Sequence, residues 1–254
     1  KIMAGMNIAE RRRSQDGQFS SEVDGRTVDV RVGTSYTVTG EMMGLRILDK
    51  GFALIGLEQL GLLPGPLEKY QALLKLPYGM VLISGPTGSG KTTLLYASLQ
   101  RMNRHERKII TIEDPVEYRF ADISQIQVNV QAGITFGSQL RAIMRLDPDV
   151  ILVGEIRDQE TALIATHAAL TGHLVLSSIH ANDTVGALYR LQELGVEPYL
   201  VAASVACVTA QRLVRRVCGG CQTMVKRPTA EQTAYTQELG EQREQFLYGT
   251  GCNL

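Results

Sequence analysis

The 254-residue sequence lacks tryptophan, has few aromatic residues and carries no net charge, since 26 basic side chains balance 26 acidic ones. This balance argues against a protein whose main task is to hold nucleic acid by its phosphates. No apolar run is long enough to span a bilayer, and the longest candidate, residues 200–208, is short and rich in alanine. The first residues do not resemble a signal peptide, so we expect a reducing cytoplasm and cysteines that are thiols or metal ligands.

One stretch, residues 85–92, fits the P-loop pattern G-x-x-x-x-G-K-[ST] without a mismatch. An apolar run precedes it and helix-forming residues follow, which is the strand–loop–helix context that the motif requires. Its glycines permit positive φ angles, so that successive N–H groups can surround phosphate oxygens at the start of the helix. We expect Lys91 to reach the β- and γ-phosphates and Thr92 to hold Mg²⁺. The predicted nucleotide-binding residues are Gly85, Pro86, Thr87, Gly88, Ser89, Gly90, Lys91, Thr92 and Thr93.

The remaining sequence divides into three parts. Residues 1–50 contain short alternating segments, which predict strands at 19–23, 26–32, 36–38 and 44–48, with a hairpin signal at Asp24-Gly25. We expect a small β-rich module here, incomplete at its N-terminus. Residues 51–77 are rich in glycine and proline and predict a connector with a short helix, whose glycines form a hinge. Residues 78–254 alternate strands and helices, as in an α/β fold, with a long helix from residue 198 to about residue 216.

Acidic residues and histidines follow the predicted strands. Glu113 and Glu117 stand at the carboxyl end of an apolar strand, where ligands bind in a parallel sheet. Glu155 ends another apolar strand, after a glycine in the place where a Walker B element usually has aspartate. His173 and His180 bracket the next strand, and we expect both to sense the γ-phosphate.

Five motifs together carry a resemblance: the P-loop, residues 112–118, residues 140–149, residues 154–158 and residues 171–182. They resemble the secretion motor ATPases, which are the hexameric ATPases of type II secretion and type IV pilus assembly. The match covers nearly the whole chain, and the combination is far more specific than any one motif.

The resemblance implies a RecA-like P-loop NTPase domain preceded by a small β-rich, PAS-like module. It also implies Mg²⁺-dependent ATP hydrolysis that powers the assembly of a pilus or pseudopilus. By position, Glu155 resembles the acid on the Mg²⁺ side, and Glu117 resembles the carboxylate that polarises the attacking water, with Glu113 close by. The two histidines resemble the family's histidine box. Arg31 and Arg46 resemble the arginines that the N-terminal module of the family donates to the nucleotide.

The resemblance further implies a homo-hexamer in the cytoplasm, peripheral to the inner membrane, with an inner-membrane platform protein as partner and no nucleic acid. It also bears on the cysteines, because assembly-type members carry a four-cysteine zinc site in a terminal module. Here residues 218–254 supply three such ligands, Cys218, Cys221 and Cys252, so the site is either empty or a truncated one that would bind Zn²⁺ in the full-length chain.

The sequence also bears on three other functions. A GTPase would need the guanine-reading sequence Asn-Lys-x-Asp, which is absent. A RecA-like helicase or DNA-transfer ATPase would share the fold, but the neutral net charge disfavours it. A nucleotide-binding scaffold with little hydrolysis is an alternative because the Walker B element is atypical.

Overall fold

The computed structural model describes residues 1–23, 25–49, 55–102 and 105–252. The chain divides into two compact units, Lys1–Arg212 and Leu213–Leu254. The first unit contains a three-stranded sheet and a six-stranded sheet, and the second contains a two-stranded sheet with one helix. The sequence-predicted domain boundaries, 1–50, 51–77 and 78–254, stay predictions.

The six-stranded sheet is parallel throughout and forms the centre of the first unit. Most of its strands are continuous apolar runs buried on both faces, as in α/β proteins. This confirms the predicted α/β fold. In chain order the strands are β4 (Gly79–Ser84), β5 (Ile109–Glu113), β6 (Ser124–Gln127), β7 (Val150–Ile156), β8 (Leu174–Ile179) and β9 (Val205–Ala210), and across the sheet their order is β6-β5-β7-β8-β4-β9.

Helices cover both faces of this sheet. Alternate residues of each strand point to opposite sides, so an apolar strand presents side chains to a core on each face. In β4, Met80 and Leu82 belong to one apolar core, whereas Val81 and Ile83 belong to the other. No helix among the described residues has both the length and the apolarity needed to cross a bilayer. The helices of this unit are α1 (Pro64–Leu73), α2 (Lys91–Arg101), α3 (Phe136–Ile143), α4 (Gln159–Leu170), α5 (Thr184–Glu193) and α6 (Pro198–Ser204).

The N-terminal sheet consists of β1 (Gln15–Val23), β2 (Arg26–Thr37) and β3 (Gly40–Asp49), paired antiparallel in that order. The sequence predicted two strands within residues 26–38, but β2 is continuous through Gly33 because it has a partner strand on each side. Val23 pairs with Arg26, as a hairpin requires, while Asp24 of the predicted turn lies outside the described residues.

The predicted long helix from residue 198 to about residue 216 is wrong. Helix α6 ends at Ser204, and β9 follows directly and pairs parallel with β4. Two physical reasons account for the change. The segment contains Val205, Val208 and Thr209, whose β-branched side chains suit a strand. The edge of β4 also offers hydrogen bonds that a helix could not satisfy.

The second unit contains β10 (Gln222–Lys226), α7 (Thr229–Leu239) and β11 (Gln245–Gly249). The two strands pair antiparallel, with Met224 opposite Leu247. Tyr235 of α7 packs edge-on against Phe246 of β11, with 5.0 Å between ring centroids. These elements were not predicted from the sequence, because the segment is short and polar.

Candidate active site

The P-loop joins β4 to α2 in the conformation that its glycines permit. Gly85, Gly88 and Gly90 have φ angles of +149°, +76° and +87°. Residues with a Cβ rarely adopt such angles, so glycine is required for the backbone path. Gly90 is also the N-cap of α2, which places the loop at the positive end of the helix. This geometry suits an anion that approaches the loop.

Lys91, the first residue of α2, turns its side chain back over the loop. Its Nζ donates to the carbonyl oxygens of Gly85 at 2.8 Å and Pro86 at 3.0 Å. Burial lowers the pKa of Lys91, the carboxylate of Glu155 opposes this effect, and the positive charge of Arg212 adds to it. The cation is thus held by neutral carbonyls, and an approaching phosphate would meet a positively charged group.

Other polar groups of the loop are suited to bind a nucleotide. The Ser89 hydroxyl is buried and has no hydrogen-bond partner among the residues that the structure describes. Thr92 and Thr93 line a cavity of about 1300 Å³, together with Arg31 and Glu117. A buried hydroxyl without a partner is rare in proteins and is expected where a ligand completes the site. The residues therefore fit a bound nucleoside triphosphate, with the Thr92 hydroxyl and the Glu155 carboxylate as oxygen ligands suited to Mg²⁺.

Strand β7 contains the atypical Walker B element and is irregular at that point. Val153 pairs with Ser177 of β8 and Ile156 pairs with Ile179, so β7 has one extra residue between the two pairs. Side-chain hydroxyls satisfy the displaced carbonyls: Ser177 donates to Val153 at 2.7 Å and Ser178 donates to Gly154 at 2.8 Å. Such bulges redirect a side chain next to active sites, and here the affected side chain is that of Glu155.

Gly154 allows β5 to approach β7 closely at this bulge. A Cβ at Gly154 would lie 3.3 Å from the Cα of Glu113 and 3.3 Å from the carbonyl oxygen of Ile112. Both neighbours are backbone atoms, which cannot move aside as a flexible side chain would. The glycine that interrupts the usual Walker B pattern therefore has a steric role between two strands of the sheet.

The negative charge of Glu155 acts on Lys91 and opposes the lowering of its pKa. Glu155 also forms an ion pair with Arg157, and its Oε2 lies 3.4 Å from Nε2 of His180. His180 directly follows β8 and therefore lies at the same edge of the sheet as the P-loop. The structure thus brings together Lys91, Glu155 and His180.

His173 does not join this group, and the expectation that both histidines lie beside the phosphate site is wrong for His173. It precedes β8, and its carbonyl accepts the N–H of Gly79 at the start of β4. Its Nδ1 lies 3.0 Å from the carbonyl oxygen of Ala168 in α4. Because β8 is extended, at roughly 3.3 Å per residue, residues on either side of it lie at opposite edges of the sheet.

Glu117 and Arg31 form an ion pair across the first unit, with 2.9 Å between Oε1 and Nη2. Arg31 lies in β2 directly opposite Arg46 in β3, and both line a second cavity of about 780 Å³ beside Asp114. Like charges directly opposite each other in a sheet are unfavourable on their own. Both arginines lie beside the loop that follows β5, which carries Asp114 and Glu117.

Glu113, the last residue of β5, is buried within the first unit. It shares one face of β5 with Ile109 and Thr111, and that face packs against α2. Its carboxylate accepts hydrogen bonds from the hydroxyls of Tyr96 and Thr111 and from the Gln125 amide. Glu113 is therefore a buried, fully hydrogen-bonded carboxylate, and its predicted catalytic part stays a prediction.

Several polar residues around the site were not found by sequence reasoning. Tyr96, Gln125, Ser177 and Ser178 each bond to a loop or bulge that carries a predicted site residue. Arg212, just after β9, contributes positive charge near Lys91 and donates to the carbonyl of Asn182. The sequence indicates their roles only indirectly, because each is a polar residue in or next to an otherwise apolar element.

The second unit brings together Cys218, Cys221 and Cys252, whose sulfur atoms lie within 4.8 Å of one another. The Cys218 and Cys252 sulfurs are 3.8 Å apart. The N–H of Gly220 lowers the pKa of Cys218, which favours the thiolate that binds metals, whereas Cys252 raises the pKa of Cys221. The three thiols fit three corners of a tetrahedral zinc site.

Comparison with known proteins shows the family to which this chain belongs. The family model of the type II/IV secretion system proteins matches residues 1–253. The chain belongs to this family. Curated relatives include the type II secretion system protein HxcR of Pseudomonas aeruginosa, 51% identical over 247 residues, and type II secretion system protein E of Klebsiella pneumoniae, 51% identical over 239 residues.

These matches cover 94% of this chain but 53% and 48% of the two relatives. Type II secretion system ATPase E of Vibrio cholerae is 46% identical over 253 residues, which cover 99% of this chain and 50% of the relative. The chain therefore spans about half the length of the curated relatives that it matches.

Two solved structures share the fold. The pilus retraction motor PilT with bound ADP has a TM-score of 0.63 at 28% identity, covering 94% of this chain and 64% of PilT. The ATPase DotB of Legionella pneumophila has a TM-score of 0.66 at 24% identity, covering 80% of this chain and 58% of DotB. The second likeness concerns the fold alone. Both agree with a RecA-like domain preceded by a β-rich module.

Proposed function

We propose that this chain hydrolyses ATP with Mg²⁺ and that the hydrolysis powers assembly of a pilus or pseudopilus in type II secretion or type IV pilus biogenesis. The observation that carries the proposal is the arrangement at one sheet edge. Lys91 lies over the P-loop, Glu155 and His180 lie beside it, and the Arg31–Glu117 pair lies beyond the end of β5. The names of the secretion relatives support the biological role.

Each residue has a defined part in this proposal. The loop N–H groups and Lys91 bind the phosphates, and His180 senses the γ-phosphate. Glu117 accepts the proton of a water whose oxygen forms a bond to the γ-phosphorus. The bond from that phosphorus to the bridging oxygen breaks, and ADP leaves with the electron pair, giving ADP and phosphate. Mg²⁺, held by Thr92 and Glu155, would supply charge neutralisation on the phosphate oxygens.

Arg31 and Arg46 stabilise the negative charge that develops on the transferred phosphoryl group. A guanidinium has five N–H donors, so Arg31 can hold Glu117 and contact a phosphate oxygen at the same time. Loss of the γ-phosphate would release these contacts and let the N-terminal sheet move relative to the central sheet. In this way hydrolysis would be converted into mechanical work.

The proposal extends to partners and location. We place the protein in the cytoplasm, at the inner membrane, as a homo-hexamer bound to a platform protein of the secretion machine. The three cysteines would bind zinc together with a fourth ligand. This part is tested by zinc content per chain, which should fall in a Cys221→Ser variant and stay unchanged in Cys207→Ser, whose cysteine lies in β9.

Steady-state ATP hydrolysis, measured against protein concentration with particle size on the same samples, tests the motor function. Activity per chain should rise with assembly. Lys91→Ala should lose nucleotide binding, whereas Arg46→Ala should bind nucleotide and lose turnover. Arg12→Ala is the control, because Arg12 is an exposed arginine in the segment before β1. Activity that is independent of concentration, with Arg46→Ala as active as Arg12→Ala, would favour a monomeric ATPase or a nucleotide-binding scaffold.

A further inference from the structure

We propose that Tyr96 is a positioning residue for ATP hydrolysis: its hydroxyl fixes the loop that carries Glu117 to the helix that begins at the P-loop. The proposal rests on the proposed role of Glu117 in orienting water. Tyr96 belongs to no motif of the family resemblance, and its part follows from the contacts of one oxygen atom.

The Tyr96 hydroxyl contacts the last residue of β5 and two residues of the segment that follows it. It donates to Oε2 of Glu113, the last residue of that strand. It accepts the backbone N–H of Glu117 at 3.0 Å and that of Tyr118 at 3.4 Å. A phenolic hydroxyl has one hydrogen to donate and lone pairs to accept with, so these contacts use its full capacity.

The buried carboxylate of Glu113 sets the orientation of this hydroxyl. Its other oxygen already accepts from Thr111 and from Gln125, the latter at 3.2 Å. An ionised carboxylate has no hydrogen to donate, so the Tyr96 hydrogen must point toward Glu113 and the lone pairs remain for the two amides. Burial, and then the Glu113 charge, raise the pKa of Tyr96, so the hydroxyl keeps its proton at every working pH.

The ring of Tyr96 holds the same segment by packing. It contacts Phe120 edge-on at 5.5 Å between centroids, and Phe120 contacts Tyr118 in the same way at 5.3 Å. Tyr96 lies five residues after Lys91 on α2. One helix therefore carries both the lysine that binds phosphate and the hydroxyl that holds the Glu117 backbone, so Tyr96 sets the position of Glu117 relative to the phosphate.

A Tyr96→Phe variant tests this role, because it retains the ring packing and removes only the hydroxyl. We expect kcat for ATP hydrolysis to fall roughly tenfold, since small displacements of a reacting group are costly. The affinity for nucleotide and the KM for ATP should stay within about twofold, because no phosphate contact changes.

Tyr70→Phe is the matched control. Tyr70 lies in α1, and its buried hydroxyl bonds to Ser98 of α2 at 2.8 Å. Each variant removes a buried tyrosine hydroxyl that links α2 to a neighbouring segment, so both should lower the midpoint of denaturation. Only Tyr96→Phe should lower kcat. An equal loss of kcat in Tyr70→Phe would show that a general loosening of α2 is responsible and would overturn the proposal.

Glu117→Gln, alone and combined with Tyr96→Phe, separates this proposal from the one on which it rests. If Glu117→Gln is impaired and Tyr96→Phe causes no further loss in that background, the two residues act through one step, as proposed. If Glu117→Gln is impaired but the two losses multiply, or Tyr96→Phe is fully active, Tyr96 has no positioning role, although the part of Glu117 stands. A fully active Glu117→Gln would overturn both.

Discussion

The central parallel sheet and the N-terminal antiparallel sheet hold their functional side chains in different ways. Lys91 and Glu113 of the central region are buried, and backbone carbonyls or several donors fix their charged groups. Arg31 is 29% exposed and forms an ion pair with Glu117, and Arg46 is exposed. We therefore expect substitution of the buried residues of the central region to lower both stability and activity. Substitution of the more exposed arginines of the N-terminal sheet should lower activity alone.

The largest expected effect is that of Lys91→Ala, which removes the positive charge from the P-loop. We expect ATP hydrolysis to fall roughly 10³-fold, the upper range for loss of one group that stabilises developing charge. Nucleotide affinity, measured by calorimetry, should fall as well. If Lys91→Ala bound and hydrolysed ATP normally, the central sheet would not contain the phosphate site and the comparison would fail.

Arg31→Ala should lower kcat roughly 10²-fold, because the transferred phosphoryl group loses a cation. The free energy of unfolding should change by no more than about 1 kcal/mol, since partly exposed ion pairs stabilise little. Kinetics and chemical denaturation on the same samples measure the two quantities. A large loss of stability would contradict the distinction between the two sheets.

Gly154→Ala should act on folding as well as on activity. The added methyl would press on the backbone of β5, and overpacking of this kind costs about 1–3 kcal/mol. ATP hydrolysis should fall too, because Glu155 is the next residue. Gly65→Ala in α1 is the control, because a Cβ there meets nothing within 4 Å. Equal stability of the two variants in denaturation would show that the close approach of β5 and β7 is unimportant.

The smallest effect concerns alkaline pH. Burial raises the pKa of Tyr70 to about 12. Since the folded pKa lies above the unfolded one, near 10, this contribution to stability is complete below pH 10. It is lost as the pH rises from about 10 to about 12, because the unfolded state ionises first. In denaturation curves across this window, Tyr70→Phe should lose less stability than the parent protein, and an identical pH dependence would count against burial as the cause.

The P-loop and the parallel sheet could be predicted from the sequence, because both depend on short stretches. Positive φ angles at three glycines follow from the residue type and its neighbours, and a continuous apolar run predicts a strand buried on both faces. Strand β9 could not be predicted in this way, because residues 205–210 become a strand only beside the free edge of β4.

The tertiary structure decided which predicted residues meet. Arg31 and Glu117 are 86 positions apart and form an ion pair because the N-terminal sheet places β2 against the loop after β5. His173 and His180 are close in sequence, yet the strand between them separates them across the sheet. Glu113 turns inward because strand alternation puts it on the face that packs against α2. The residue types of one short stretch thus determined the P-loop. The direction and order of the strands, and the side of each strand on which a residue lies, determined which residues surround the loop.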